Sequence, residues 1–300
     1  MKGRDNMIKV NDRLVEFETF PNGETLLVKE SLQGSLHNAK DNVVHFKYEN
    51  DADLIKLMFV KKHIDSLTGM FDMKIALYIY YMPYSRMDRS EELSPFTLKH
   101  VASLINDLNF NQVFVIEPHS DVTPAVLDRA ESVFVNFDLI ENVKEEVGFN
   151  MDEDYIMFPD AGASKRYGKM NAKNVAIGHK KRNFQTGQIE GFDVVFNNDE
   201  DTRGKKVIIV DDMTSYGGTF IHSEIALRKM YGFKEVYLLV AHAENSVLHG
   251  NPKTGINLFD HIDKLFTTDS ILTEYNNWEF KKFEPQLKVY SLEDYVNGKL

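Results

Sequence analysis

The run KKVIIVDDMTSYGGTFIHSEIALRKMYGF, residues 205–233, sets an acidic pair, two hydroxyls and two glycines between an apolar strand-length segment and a helix-length one. Gly217 and Gly218 allow a tight turn with no Cβ in the way, so successive N–H groups can point at one anion where the next helix begins. Ser215 and Thr219 add hydroxyl donors. Asp211 and Asp212, expected just after the strand, can accept hydrogen bonds from vicinal ribose hydroxyls or help hold a metal. No Gly-Lys-Ser/Thr follows, so this is not a Walker A loop, and the GxGxxG dinucleotide pattern is absent. A strand-to-helix turn with two solvated aspartates has the same composition, and the segment alone leaves both open.

Other residues have chemistry of their own. In FPNGET, residues 20–25, Phe20 can stack on a base while Asn22 and Glu24 meet its edge, although F-x-N-G-E is also a hairpin turn. Arg86 and Arg89 of YSRMDR can neutralise polyphosphate oxygens with bidentate geometry, Asp88 can orient them, and a solvated surface loop is the alternative. His119 and Asp160 each follow a strand-like run, where an open α/β sheet collects ligand groups. Lys180, Lys181 and Arg182 form a basic cluster in an acidic chain, followed by Asn183, Thr186 and Gly187, a composition that tolerates mobility.

These residues need elements to hold them. Leu54, Leu57, Met58, Ile64 and Leu67 recur at helical spacing over 53–69, with Gly69 as a stop. KIALYIYY, residues 74–81, is apolar throughout and predicts a strand covered on both faces. The helix SPFTLKHVASLINDLNF is expected to use Ser94 as N-cap and Pro95 at its first position. QVFVIEPH, YIMF, NVAI, KVIIV at 206–210 and EVYLLVAH at 235–242 read as strands, with a short SKRYGKM helix and a longer one over about 219–231 between them. Such alternation predicts parallel α/β sheets with ligand loops at the strands' carboxyl ends. A soft boundary is expected near 141–154, an acidic stretch without a clear apolar period.

At 300 residues the chain has room for two domains, expected over 1–145 and 146–300. No stretch approaches the ~20 apolar residues of a bilayer span, and MKGRDNMIKVNDR offers no apolar signal-peptide core, so no membrane partner and a cytoplasmic address are expected. With no cysteine, disulfides and thiolate metal sites are excluded, and a metal must use His, carboxylates, substrate oxygens or water, which favours Mg²⁺. A net charge of −11 argues against a large nucleic-acid footprint, since duplex binding is driven by cations displacing counterions.

VDDMTSYGGT resembles the phosphoribosyl-diphosphate loop of type I phosphoribosyltransferases and phosphoribosyl diphosphate synthetases. Five further segments, in order, resemble the synthetases specifically. FPNGET is similar to the element that reaches from a neighbouring subunit to hold adenine, and YSRMDR to the Tyr-Ala-Arg-Gln-Asp-Arg/Lys element that contacts ATP. EPHSD and FPDAGASKR resemble the Asp-Leu-His and Pro-Asp-x-Gly elements, and AIGHKKRN the start of the catalytic loop. KLFTTDSIL and KVYSLEDYV resemble the family's Thr-Asn-Thr-Ile segment and its last strand and helix.

The resemblance implies two tandem type I phosphoribosyltransferase-like α/β domains and transfer of diphosphate from MgATP to the 1-hydroxyl of ribose 5-phosphate. It implies that Phe20, Asn22, Glu24, Arg86, Asp88 and His119 bind ATP. Asp211 and Asp212 would hold the ribose hydroxyls, and Ser215, Tyr216, Gly217, Gly218 and Thr219 the 5-phosphate. His119 and Asp160 would help locate Mg²⁺, and Lys180 and Arg182 would close over the transferring group. A pocket completed by a neighbour implies self-association as a dimer or hexamer. Three positions depart from the pattern: Met87 stands for Gln, Ser215-Tyr216 for Asp-Thr, and Glu117-Pro118 for Asp-Leu, which marks a divergent branch. A phosphoribosyltransferase and a catalytically silent regulatory homologue are the rival expectations.

Overall fold

The computed structural model describes residues 8–36, 41–67, 73–91, 94–182, 189–272, 283 and 285–298, with backbone alone at 180–182 and 189–191. It divides into two compact units, Met1–Phe134 and Val135–Leu300. The division falls ahead of the acidic 141–154 stretch, whose first half belongs to a helix of the second unit. Among the described residues no helix is long and apolar enough to cross a membrane.

The first unit runs β1 (Ile8–Val10), β2 (Arg13–Leu14), β3 (Phe17–Thr19), β4 (Thr25–Leu27), α1 (Lys29–Gln33), β5 (Asn42–Phe46), α2 (Ala52–Leu67), β6 (Ile75–Ile79), α3 (Thr97–Asp107), β7 (Gln112–Ile116), α4 (Val122–Val126) and β8 (Ala130–Val133). Its main sheet has the order β2-β1-β5-β6-β7-β8, with β5 to β8 parallel and β1 antiparallel to both neighbours. One face is mostly apolar: Val44, Phe46, Leu77, Ile79, Val113 and Val115 share a core with Leu57, Val60 and Ile64 of α2 and Leu98, Ala102 and Ile105 of α3. β3 and β4 form a separate hairpin.

Helix α3 starts at Thr97, later than the sequence suggested, because the backbone of Ser94 is engaged with Glu91 in both directions (2.7 and 3.2 Å). Ser94 is therefore not its N-cap. Phe96 occupies that position and makes no side-chain capping bond.

The second unit runs α5 (Asn136–Val147), β9 (Tyr155–Phe158), α6 (Ala161–Tyr167), β10 (Asn174–Arg182), β11 (Ile189–Phe196), β12 (Lys206–Thr214), α7 (Gly218–Tyr231), β13 (Glu235–Ala243), β14 (Lys264–Thr268), β15 (Leu287–Tyr290) and α8 (Leu292–Val296). The sheet order is β11-β10-β9-β12-β13-β14-β15, parallel except for the β10–β11 hairpin. Strands β9, β12 and β13 are buried on both faces, as their unbroken apolar runs require. α5 has an apolar stripe after all, Leu139, Ile140 and Val143, and its Lys144 Nζ donates to the Asn171 carbonyl at 3.0 Å.

Candidate active site

In the second unit the central strand extends further than KVIIV. β12 continues through Thr214, paired with β13 as far as Ala243, so Asp211 and Asp212 lie within the strand and not after it. Successive strand residues face opposite ways. Asp212, 5% exposed, meets Arg166 of α6 at 3.5 Å. Asp211 accepts a hydrogen bond from the Asp212 N–H at 2.9 Å. Burial first, then the neighbouring Asp212 and Asp160 carboxylates, push the Asp211 carboxyl well above the usual carboxylate range. Three acidic side chains thus converge electrostatically at the carboxyl end of β9 and β12.

Asp160 caps α6: extended at φ −162°, it accepts the Ala163 N–H at 3.0 Å. Gly178 of β10 lies against that turn, since a Cβ there would sit 2.8 Å from the Pro159 carbonyl oxygen. A side chain at 178 would drive β10 away from the Asp160 turn. Lys180 and Arg182 belong to the end of β10, paired with Phe192 and Ile189, so the basic cluster begins on a strand. Their side chains, and the expected catalytic loop at 183–188, lie outside the described residues.

The phosphate-type loop is built on one left-handed residue. Gly217 has φ +77°, and a Cβ on it would come within 2.9 Å of Leu258, so both conformation and space demand glycine. Gly218 then opens the fourteen-residue helix α7 with no side-chain cap at its N-terminus. The terminal N–H groups of such a helix form an anion site. Around them stand Thr219, partly exposed, and Tyr216, 38% exposed. The Thr214 hydroxyl is buried without a partner. Ser215 Oγ lies 3.2 Å from Ser246 Oγ, which in turn is 3.4 Å from Glu244. A carboxylate thus approaches the loop through Ser246, where the synthetase pattern carries an aspartate in the loop itself. Arg166, Gly178, Ser246 and Leu258 escaped sequence reasoning. Arg166 and Gly178 had a signal, their places in FPDAGASKR and AIGHKKRN.

In the first unit, Phe20, Asn22 and Glu24 form the tip of the β3–β4 hairpin. Phe20 N donates to the Glu24 carbonyl, Gly23 N to that of Phe20 (both 2.8 Å), and Asn22 Oδ1 accepts the Glu24 N–H at 3.2 Å. The turn leaves Phe20 49% exposed.

YSRMDR follows β6 and is launched by Tyr84 at φ +62°. The Tyr84 and Tyr48 hydroxyls both donate to Asp51 Oδ1, at 2.5 and 2.7 Å, and these two bonds hold the Asp51 carboxyl below its usual range. Arg86 is exposed and Asp88 partly so, while Arg89 pairs with Glu91 at 2.6 Å. Met87, the departure from the pattern, is fixed by its backbone: its N–H reaches Tyr84 and its carbonyl accepts from Leu98.

After β7, the buried Glu117 takes φ +42° and turns the chain toward His119, which is partly exposed. Buried hydroxyls of Ser85, Ser120 and Thr123 lack partners near these two strand ends. His119 belongs to the first unit and Asp160 to the second. Among the described residues no group of three or more His, Asp or Glu is placed to hold a metal ion.

No protein-family model matches the chain. Over 95% of this chain and 88% of the other, the fold matches the crystal structure of phosphoribosylpyrophosphate synthetase from Mycobacterium smegmatis, with a TM-score of 0.69 at 20% identity. The tandem phosphoribosyltransferase-like architecture expected from the sequence is therefore the fold of the chain. Ribose-phosphate pyrophosphokinases are similar in sequence: that of Pyrococcus abyssi is 28% identical over 76% of this chain and 75% of its own, and that of Sulfolobus acidocaldarius 29% identical over 76% of each. The enzyme of Pyrococcus furiosus is 30% identical over 268 residues, 86% of either chain. At that identity over 86% of its length, the chain belongs to the ribose-phosphate pyrophosphokinase family.

Proposed function

We propose that the chain is a Mg²⁺-dependent ribose-phosphate diphosphokinase, transferring diphosphate from ATP to the 1-hydroxyl of ribose 5-phosphate and releasing AMP. One observation carries this reading: the Gly217 turn delivers the uncapped N-terminus of α7 beside the Asp211–Asp212 pair. A helix N-terminus suits a phosphate, and a neighbouring carboxylate pair suits vicinal hydroxyls. A sugar phosphate needs both, at the two ends of one molecule.

Phosphoryl chemistry of this kind depends on positioning and charge neutralisation. Residues 215–219 would hold the 5-phosphate, and Asp211 and Asp212 the ribose hydroxyls. Arg166 pairs with Asp212 at 3.5 Å. Phe20, Asn22, Glu24, Arg86, Asp88 and His119 are the proposed ATP contacts, the hairpin tip serving a neighbouring subunit.

A donor set dominated by carboxylates fits a hard divalent cation, and the crowding of carboxylates around the buried Asp211 is what such a cation would relieve. His119 and Asp160 are the proposed holders, with remaining ligands from substrate oxygens and water. When bound, Mg²⁺ supplies charge neutralisation to the ATP phosphates. Lys180 and Arg182 would stabilise charge developing on the transferred group.

The test is direct: incubate the protein with ATP, ribose 5-phosphate and Mg²⁺ and follow AMP. Stoichiometric AMP and 5-phosphoribosyl 1-diphosphate are expected. If no AMP forms but phosphoribosyl diphosphate is consumed with a nucleobase, the chain is a phosphoribosyltransferase. Nucleotide binding with neither turnover identifies a regulatory homologue.

A further inference from the structure

Tyr84 occupies a place that its local backbone suits to glycine. Met82, Pro83, Tyr84 and Ser85 form a turn closed by the Ser85 N–H on the Met82 carbonyl at 3.3 Å, with Pro83 second and Tyr84 third at φ +62°. Proline followed by a positive φ is the pattern of a type II turn, whose third position favours glycine or asparagine because a Cβ is strained there. A bulky aromatic residue in the left-handed region persists only where its surroundings hold it. Both ends of this side chain are held: the ring packs on the core of the first unit, and the hydroxyl donates to Asp51 Oδ1 at 2.5 Å.

Asp51 is well placed to receive it. It stands in the connection from β5, immediately before α2, and accepts the Tyr48 hydroxyl on the same oxygen at 2.7 Å. The backbone that carries it is fixed by Asp53. That fully buried carboxylate accepts the Glu49 and Asn50 N–H groups at 3.0 and 2.9 Å and pairs with Lys56 at 3.1 Å.

From Tyr84 the chain passes directly to Arg86. A second turn, closed by the Met87 N–H on the Tyr84 carbonyl at 2.9 Å, contains Ser85 and Arg86, and the Leu98 N–H reaches the Met87 carbonyl at 3.2 Å. Arg86 therefore lies between two anchors: Asp51 acting on the Tyr84 side chain, and the start of α3 acting on the Met87 backbone.

We propose, resting on the reading of YSRMDR as an ATP-contacting loop, that Asp51 is a positioning residue for the nucleotide. Through Tyr84 it sets the turn that presents Arg86 and Asp88 to the ATP phosphates. Tyr48 shares the carboxylate oxygen but lies on the β5–α2 connection, so it steadies Asp51 and not the loop.

KM values in the AMP-release assay test this role. Asp51→Ala and Tyr84→Phe each remove the Tyr84–Asp51 bond and should raise the KM for ATP about tenfold, an effect of the size of one hydrogen bond to a charged group. The kcat and the KM for ribose 5-phosphate should stay within about threefold of wild type, since the loss is one of ATP binding alone. The double variant should be no worse than either single, because the same bond is lost in all three. Asp51→Asn keeps an oxygen that accepts both hydroxyls and should return the KM for ATP to within about threefold of wild type. ATP affinity by calorimetry, which needs no turnover, should follow the same order.

A contact that only braces the fold would lower the melting temperature of Asp51→Ala and Tyr84→Phe and leave ATP binding unchanged, which overturns the role. Weakened ATP binding in Asp51→Ala but not in Tyr84→Phe overturns it too, since Asp51 would then act on the ligand directly. Arg86→Ala probes the underlying reading separately. Unchanged ATP binding in that variant removes the loop from the ATP site, and the role of Asp51 with it. Weakened binding in Arg86→Ala, with normal binding in Asp51→Ala and Tyr84→Phe, overturns the positioning role alone.

Discussion

The guanidinium of Arg166 stands 3.5 Å from the carboxylate of Asp212, and both side chains are largely enclosed, at 18% and 6% exposure. Arg166 lies in the last turn of α6, the helix that Asp160 caps, so one short helix connects the capped turn to the acidic strand. Removing the cation leaves a buried carboxylate with less compensation. Arg166→Ala should therefore cost about 1–3 kcal/mol in denaturant unfolding, below the full figure for a buried pair because Arg166 retains some solvent. Asp212→Asn on that background should recover part of the loss. Strict additivity of the two substitutions would show that the contact is not energetically coupled.

Asp211 makes the opposite prediction. In the unfolded chain it titrates near 3.8, whereas in the folded protein burial, Asp212 and Asp160 raise it well above that value. Between the two pKa values the folded state retains a proton that the unfolded state has lost. Stability therefore falls as pH rises from about 4 through the folded value, and the deficit is complete above it. Asp211→Asn removes the ionisation yet keeps an oxygen to accept the Asp212 N–H. In EDTA this variant should melt above wild type at pH 7, with the gap closing toward pH 4. A gap that stays constant with pH would contradict the assigned cause.

The sequence carried the alternation of strands and helices, the acidic pair and the glycine turn, because each is local: unbroken apolar runs, paired aspartates and φ-permissive residues show without tertiary context. It hid what depends on distant partners. Leu258 reveals its role only where the chain returns past Gly217, and Ser246 only beside Ser215. The reach of β12 through Thr214 was hidden because two aspartates look like a loop until β13 pairs beside them. The stripe of α5 was masked by surrounding Glu and Lys, and Ser94 looked like a cap although its backbone was committed to Glu91.

Gly217 should not tolerate a side chain. Alanine there must adopt φ +77° and place its Cβ 2.9 Å from Leu258. A strained backbone of this kind costs about 1–3 kcal/mol. Relief by rotation would turn the α7 N–H groups away from the anion, so Gly217→Ala should raise the KM for ribose 5-phosphate more than that for ATP. Leu258→Ala removes the two Cδ contacts but leaves its Cβ 3.0 Å away and the dihedral unchanged, and the double variant should regain some stability over the sum of the singles while keeping the raised KM. Equal KM changes for both substrates would detach the turn from sugar-phosphate binding.

Lys180 separates binding from transfer. It lies two residues beyond Gly178, the residue that lets β10 run against the Asp160 turn, so strand geometry brings its backbone to the acidic end of the sheet. Among the described residues, Arg166 serves the Asp212 carboxylate and the Asp212 N–H serves Asp211. Lys180→Ala should thus leave melting temperature and ribose 5-phosphate binding by calorimetry nearly unchanged. A cation that acts on developing charge contributes roughly 10² to 10³ in turnover, by analogy with a single oxyanion-hole donor, and AMP release should fall by that order. Lys180→Arg, which keeps the charge but changes its shape, should recover only part of it. Near-normal AMP release from Lys180→Ala would remove Lys180 from the transfer step and leave Arg182 as the cation to examine.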